Sequence, residues 1–320
     1  SGASEVQVAQ ITVQLAQAHP VDSIEAHVGY YLVDDGIDRT VETLASAHGH
    51  RKAHVAPRTV PLPVYLTMIA VVVALATTGL VGQSGAHLVP WAPTWVLVLL
   101  GLLVFSELGI ALTNWLATVI VAPKPLPRLD FSLGLPATER TLVVVPCMFG
   151  DIATVDALVE GLEVRFLANR DPHLHFALLS DDLDADQQTL PGDAAVLAHA
   201  SALIAGLNQR YLADSPAPGG DRFFLFHRPR SWNAGEGRWI GEERKRGKLA
   251  ALNRFLRGAG TGAFQQIVGR TEVLANVRYV ITLDTDTRLP RDAARAFVGT
   301  LAHPLNRAVF DPKRNRVTRG

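Results

Sequence analysis

Two long apolar stretches in the first half of the chain constrain its fold more than any other feature. Residues 62–82 carry no charged side chain, and residues 91–122 carry only Glu107. A run of about twenty apolar residues matches the length of a helix that crosses a bilayer, whereas buried core helices are usually shorter. The sequence therefore predicts a transmembrane helical hairpin in contact with a lipid bilayer.

The charges around these stretches predict their orientation. The connection at residues 83–90 contains no Lys or Arg, whereas basic residues flank the hairpin on its outer sides: Arg51, Lys52, Arg58, Lys124 and Arg128. Because an excess of basic residues marks the cytoplasmic side of a membrane, both flanks are predicted to be cytoplasmic. Aromatic side chains that suit the membrane interface are Trp91, Trp95 and Trp115.

Composition divides the chain into four predicted segments. Residues 1–59 show the apolar spacing of short amphipathic helices, and residues 60–122 hold the hairpin. Residues 123–137, rich in proline, are predicted to be a linker, and residues 138–320 an α/β domain.

Acidic and basic residues balance at 30 each, so the net charge does not favour a nucleic-acid partner. A single cysteine, Cys147, excludes an internal disulfide.

Strand and helix patterns alternate after residue 138. Strands are predicted at 141–145, 173–179, 223–227 and 278–283, and helices at 154–169, 191–211 and 248–258. The polar, glycine-rich residues 231–247 are predicted to form a long loop. Such alternation favours a mostly parallel, Rossmann-like sheet covered by helices. The carboxyl ends of its strands would form the crevice in which open α/β sheets bind ligands.

Three polar clusters fall where these strands and loops end. They are Asp181-Asp182, the basic run 244–248 with Arg246 and Lys248, and Asp284-Thr285-Asp286. Alternate residues of an extended segment point the same way, so Asp284 and Asp286, after a buried strand, can hold one divalent cation. Carboxylates can also bond a nucleobase or ribose, and cations at a helix start can neutralise phosphate. Together the clusters predict a nucleotide-sugar site.

Other interpretations of the same residues remain open. Each cluster alone also fits turn chemistry or a solvated or lipid-facing basic run. Asp284-Thr285-Asp286 with Thr287 resembles the signature of haloacid-dehalogenase-like phosphatases, in which Asp284 would be the nucleophile. The order of the motifs disfavours a phosphatase. In that family the lysine motif and the further acid motif lie downstream of the nucleophile, whereas Lys248 and Asp181-Asp182 lie upstream of Asp284. A non-catalytic membrane assembly module is a third possibility.

A phosphate-binding loop at residues 241–248 is excluded by its spacing. Five residues rather than four separate Gly241 from Gly247, and Leu249 replaces the required Ser or Thr.

Longer motifs give a specific resemblance to a known family. They are Ser231-Trp232-Asn233-Ala234-Gly235-Glu236-Gly237-Arg238-Trp239, Glu243 to Leu249 with Leu252-Asn253, Thr282 to Ala294, His303-Pro304-Leu305-Asn306, and His27 to Leu32 before the hairpin. With these motifs the chain resembles the cyclic β-1,2-glucan synthases of bacteria over nearly its whole length. Those multi-domain inner-membrane proteins use UDP-glucose in their glycosyltransferase domain, assemble glucan on the protein itself, and carry a C-terminal phosphorylase-like domain.

The resemblance implies a truncated GT-A-like domain that binds UDP-glucose as donor. Asp181 and Asp182 would line the uridine pocket, and Lys248, together with Arg246, would meet the nucleotide. Asp284 and Asp286 would hold Mg²⁺ or Mn²⁺ on the diphosphate, where the metal acts as a Lewis acid. Inversion at the sugar is implied, because an α-linked donor gives a β linkage in one displacement.

The resemblance also implies parts that lie downstream of this chain. The general base and a Gln-x-x-Arg-Trp type acceptor motif are expected there, together with further domains as partners. A start without Met likewise makes us expect a piece of a longer protein. The implied location is the bacterial inner membrane, with a growing glucan as acceptor.

Overall fold

The computed structural model describes residues 4–21, 23–47, 60–84, 93–121, 123, 126–212 and 220–319. The chain divides into two compact units, Ser1–Leu126 and Pro127–Gly320. This boundary falls inside the predicted linker, and the four predicted segment boundaries stay predictions. Several residues used to predict orientation lie outside the described part of the chain: Arg51, Lys52, Arg58, Trp91 and Lys124.

Three short helices pack together at the start of the first unit: α1 (Glu5–Gln17), α2 (Val28–Val33) and α3 (Ile37–Ala47). Ser4 begins α1 with a capping box, in which its side chain accepts from the backbone of Gln7. Tyr31 is fully buried between the helices. Its carbonyl accepts a hydrogen bond from Thr40 Oγ1 at 2.8 Å. The apolar spacing thus forms a small helical cluster.

Two long apolar helices follow, α4 (Leu62–Ser84) and α5 (Thr94–Ile120), and they pack against each other. The stretches Leu62–Gly82 and Thr94–Ile120 have mean hydropathies of 2.2 and 2.4, yet only 11% and 17% of their most apolar parts are buried. A soluble core helix would be mostly buried. Both helices are therefore long and apolar enough to cross a membrane, while their orientation stays a prediction.

Close packing within this hairpin depends on small residues and one polar pair. A Cβ atom on Gly109 would lie 2.8 Å from Val73 Cγ2, so only glycine allows the helices to approach this closely. Tyr65 Oη of α4 donates to Asn114 Oδ1 of α5 at 2.8 Å, so the amide of Asn114 has a partner on the neighbouring helix. The side chain of Glu107 is exposed.

A five-stranded sheet organises the second unit, in the order β6-β3-β2-β1-β7. Four strands are parallel: β1 (Thr141–Phe149), β2 (Leu174–Asp182), β3 (Phe223–Arg228) and β7 (Tyr279–Thr282). The edge strand β6 (Gln266–Val268) is antiparallel to β3. Two small hairpins stand apart, β4 (Ser231–Asn233) with β5 (Arg238–Ile240) and β8 (Val309–Asp311) with β9 (Arg316–Arg319).

Helices cover both faces of the sheet: α6 (Ile152–Ala168), α7 (Asp193–Arg210) and α9 (Ala293–Ala302) on one face, and α8 (Arg244–Leu256) on the other. Alternate residues of the strands divide between two apolar cores, as in Phe176 and Ala177 of β2. The larger core includes Phe166 and Ile204. The predicted fold class is confirmed, and the arrangement is consistent with a truncated GT-A-like domain that follows a helical hairpin.

Three predictions of local structure were wrong. Residues 231–247 are not a structureless loop, since they form the β4–β5 hairpin and the first turn of α8, which begins four residues before Lys248. The strand before Asp284 is a partly exposed edge strand rather than a buried one. It ends at Thr282, so the two acids lie beyond the extended segment, in a turn closed by Thr287 N donating to Asp284 O at 3.0 Å.

Candidate functional site

A cavity of about 310 Å³ with several charged residues in its walls lies at the carboxyl ends of β1 and β2. Strands β2 and β3 lie on one side of β1, and β7 lies on the other, so the strand order reverses at β1. Open α/β sheets bind ligands at such a reversal. The walls come from strand ends, the start of α8 and the turn after β7, and include Met148, Asp181, Gly241, Lys245, Lys248 and Thr285. The cavity therefore unites members of all three predicted clusters.

Asp181 binds two buried cations at the base of this cavity. Nε and Nη2 of Arg228 donate to Oδ1 and Oδ2 of Asp181 at 2.9 and 3.0 Å, and Lys248 Nζ lies 3.0 Å from Oδ2. Arg228 is the direct neighbour of Asp181 in the register of β3, and Lys248 also donates to the carbonyl of Cys147. One carboxylate with two cations leaves one excess positive charge, which favours an anionic ligand.

Asp182 lies on the opposite face of the sheet, because successive residues of a strand point to opposite faces. Its Oδ2 lies 3.4 Å from Nε2 of His227 and 3.8 Å from Nη1 of Arg230. These groups line a second cavity of about 350 Å³ beside α7. The structure therefore places Asp181 and Asp182 at different cavities, since the strand period separates them, and their predicted role in binding uridine stays a prediction.

Two glycines allow the segment before α8 to close against Asp181. A Cβ atom on Gly241 would lie 2.2 Å from Asp181 Oδ2, and one on Gly247 would lie 2.0 Å from the carbonyl oxygen of Glu242. Glu243 and Arg244 adopt positive φ angles of 50° each, which few non-glycine residues do. This sharp entry into α8 places Lys245 and Lys248 at the cavity.

The basic run is divided by the helical period of α8. Lys248 faces the sheet and is buried, whereas Lys245 faces the turn after β7 and forms an ion pair with Asp284. Arg244 bridges Asp184 and Glu236 at 3.0 and 2.9 Å. Arg246 is 75% exposed and pairs with Glu243, so the structure places this predicted nucleotide-binding residue outside the cavity lining.

Arg165 of α6 binds the backbone of the turn that carries Asp284 and Asp286. The buried guanidinium donates to the carbonyl oxygens of Thr285 and Thr287, each at 2.8 Å, and to that of Asp284 at 3.3 Å. Both carboxylates are exposed, and Thr285 between them lines the cavity. Because Arg165 binds three backbone carbonyls, the backbone that carries Asp284 and Asp286 is fixed in position.

The two carboxylates at this turn are ligands of the kind that a small divalent cation takes. Within the described ranges, no group of three or more His, Cys, Asp or Glu side chains is placed to hold a metal ion. Mg²⁺ is usually bound by one or two carboxylates together with substrate phosphates and water. Asp284 and Asp286 can supply those carboxylates, so the residues present fit such a metal.

Sequence reasoning missed three residues that shape the site. Asp184 lines the cavity and binds Arg244, Arg228 binds Asp181, and Arg165 holds the acid turn. Asp184 could have been found, because it follows the acid pair by two residues. Arg228 required the register of β3, and Arg165 lies more than a hundred residues from the turn that it binds.

The sheet order and the polar groups at its switch point are consistent with a GT-A-like glycosyltransferase domain. No protein-family model matches the chain. The chain is 43% identical over 258 residues to the cyclic beta-(1,2)-glucan synthase NdvB of Rhizobium meliloti (strain 1021). The match includes 80% of this chain and spans 9% of the length of that relative. The resemblance predicted from the sequence motifs is therefore confirmed.

Proposed function

We propose that this chain is the donor-binding part of a membrane-anchored, UDP-glucose-dependent glucosyltransferase for β-1,2-glucan synthesis. The observation that carries the proposal is the convergence of Asp181, Lys245, Lys248 and the acid turn at one cavity of the sheet. The similarity to part of a cyclic β-(1,2)-glucan synthase supports the same class of reaction and acceptor. The two apolar helices would anchor the chain in the membrane.

The charges of the cavity suit the two ends of a nucleotide sugar. Asp184 lines the cavity and keeps one oxygen, Oδ1, buried without a hydrogen-bond partner among the described residues; a rotation of the carboxylate would let that oxygen accept from a ribose hydroxyl or nucleobase. The cation pair around Asp181 leaves a positive charge at the cavity base, where a diphosphate is stabilised. Lys248, already bound to Asp181, would position that carboxylate and reach the nucleotide from the cavity wall.

Asp284 and Asp286 would hold Mg²⁺ or Mn²⁺ on the diphosphate. When bound, the metal would act as a Lewis acid that stabilises negative charge on the departing UDP. Lys245 now neutralises Asp284, and it can turn to a phosphate oxygen when the carboxylate takes up a metal. Arg165 would keep the turn in place during this exchange.

The chemistry is one displacement at the anomeric carbon of glucose. An acceptor hydroxyl forms the new C–O bond as the bond to UDP breaks, and the configuration inverts. A general base must take the proton of the hydroxyl. The position of that base and the partner domains stay predictions drawn from the resemblance, and the cytoplasmic location of the domain stays a prediction drawn from the flanking charges.

Titration calorimetry with UDP and Mn²⁺ on the full chain in detergent tests the proposal. UDP should bind only when Mn²⁺ is present, and Asp284→Asn and Asp286→Asn should each weaken binding by about tenfold or more, equal to ~1.4 kcal/mol. Asp156→Asn, which removes a surface acid of α6, is the matched control and should bind normally. Hydrogen–deuterium exchange checks that each variant is folded.

Two results would contradict the proposal. A folded chain that does not bind UDP with Mn²⁺ would favour a non-catalytic assembly module. A phosphorylated Asp284, trapped after incubation with a phosphate ester and detected by mass spectrometry, would favour the phosphatase interpretation.

A further inference from the structure

The β4–β5 hairpin carries a pair of tryptophans on its outer face. Trp232 and Trp239 are direct cross-strand partners, so their side chains share one face. Their ring centroids lie 5.8 Å apart with an interplanar angle of 62°, and Trp232 is 54% exposed. Ile240, on the opposite face, is buried. A large aromatic surface is therefore presented to solvent by a segment whose other side is fixed.

The tryptophan face continues directly into the wall of the candidate donor cavity. The backbone of Ala185 pairs with Trp239 through two hydrogen bonds of 2.9 Å, and the neighbouring Asp184 and Gly241 line the cavity. Ala185, Trp239 and Trp232 thus lie on three adjacent extended segments, and the row covers two strand spacings, or about 10 Å.

Hydrogen bonds hold the hairpin in one conformation. Oδ1 of Asn233 accepts from the backbone of Gly235 at 2.9 Å and of Glu236 at 3.2 Å. Gly237 has a φ of 61°, the left-handed conformation that glycine adopts without strain. Arg244, which binds Asp184 of the cavity, also binds Glu236 in the turn. The aromatic face is therefore organised before any ligand arrives.

We propose that this face, Trp232 with Trp239, binds glucose units of the growing glucan and directs its end toward the donor cavity. The inference rests on the proposed function for the nature of the sugar. A glucose ring has an apolar face of C–H groups and a rim of hydroxyls, which matches an aromatic face with charged neighbours.

The charges around the tryptophans favour a neutral, hydroxylated ligand over a lipid surface. Arg238 pairs with Asp186, and Glu236 pairs with Arg244. The hairpin thus mixes both signs of charge, whereas segments that bind anionic membranes carry an excess of Lys and Arg. Paired charges of both signs offer donors and acceptors to sugar hydroxyls without repelling them.

Calorimetry with a linear β-1,2-linked glucose oligomer, on the full chain in detergent, tests this inference. Trp232→Ala should weaken oligomer binding about tenfold, as expected for the loss of one aromatic contact, and Trp232→Phe should retain most of it. Phe297→Ala, which removes another exposed aromatic side chain of the same unit, is the matched control and should bind normally.

UDP binding with Mn²⁺ is measured on the same samples and separates the two proposals. It should be unchanged in Trp232→Ala, because Trp232 does not line the cavity. If the folded chain binds UDP but not the oligomer, or if Trp232→Ala binds the oligomer normally, the tryptophan inference is overturned while the donor site stands. Oligomer binding that depends on Trp232, without UDP binding, would support the inference and contradict the donor site.

A membrane contact is a separate outcome of the test. In nanodiscs that contain brominated lipids, a membrane-inserted Trp232 would add to the quenching of Trp95 and Trp115 in the apolar helices, so less fluorescence intensity would be quenched in Trp232→Ala. That result would overturn the inference, whereas equal quenching of both chains would support it.

Discussion

Replacement of Asp181 by Asn should destabilise the α/β unit strongly. The carboxylate lies between the buried Arg228 and Lys248, and the substitution would leave two buried cations facing a neutral amide. Breaking a buried ion pair in this way costs about 3–5 kcal/mol. Lys248→Met should cost less, because Asp181 keeps both hydrogen bonds to Arg228.

The exposed pair of Lys245 and Asp284 provides the contrast. Both side chains are more than half exposed, so water and salt screen their attraction, and Lys245→Met should change stability by only about 0–1 kcal/mol. The difference between Asp181→Asn and Lys245→Met follows from burial and from the number of charges left unpaired, two buried cations in the first case and one exposed carboxylate in the second.

Native-state hydrogen–deuterium exchange of the full chain in detergent measures these effects on the amides of β2. The free energy of opening should fall by about 3 kcal/mol or more in Asp181→Asn. In Asp181→Asn with Lys248→Met the loss should be smaller than the sum of the single losses, because the second change removes an unpaired cation. A loss below about 1 kcal/mol in Asp181→Asn would refute the reasoning.

Three further expectations concern the same unit. Gly241→Ala places a Cβ atom 2.2 Å from Asp181 Oδ2 and should lower both UDP affinity and melting temperature, whereas Gly262→Ala, whose Cβ would have no neighbour within 4 Å, should change neither. Burial raises the pKa of the Cys147 thiol to about 12, so iodoacetamide at about pH 8 should label it only after denaturation, as followed by mass spectrometry. Burial lowers the pKa of His175 to about 3, below its ordinary value of 6.5, so the folded state disfavours the proton that the unfolded state takes up. Stability should then fall as the pH drops below 6.5, with His175 contributing roughly 2 kcal/mol at pH 5. Burial also lowers the pKa of His173, so His175→Gln should reduce this slope in exchange measurements without abolishing it, whereas His199→Gln keeps it.

The sheet could be predicted from the sequence because the apolar residues of a strand and of a helix repeat with different periods, which a short stretch of sequence is enough to show. Strands β1, β2 and β3 were found within a few residues of their bounds, and the apolar helices were found from length and charge alone. These features are set by neighbouring residues, so a local pattern is sufficient to detect them. The β4–β5 hairpin was missed because its glycines and polar residues also suit an irregular loop.

The candidate site could be predicted only in part. The three polar clusters were recognised because each is contiguous in sequence, and the sheet brings them to one edge. The separation of Asp181 from Asp182 follows from strand alternation and could have been inferred once β2 was extended to residue 182. The pairing of Asp181 with Arg228 depends on register, and the support of the acid turn by Arg165 depends on tertiary packing, which no local pattern encodes.

The contact between Arg165 and the turn of Asp284 and Asp286 links ligand binding to the stability of α6, a helix outside the cavity lining. Free-energy coupling between two events is reciprocal. If Arg165 increases the affinity of the turn for a metal diphosphate, then the bound ligand must protect α6 from opening by the same free energy. Occupancy of the cavity would therefore be visible as slower amide exchange in residues 152–168, a segment that does not line the cavity.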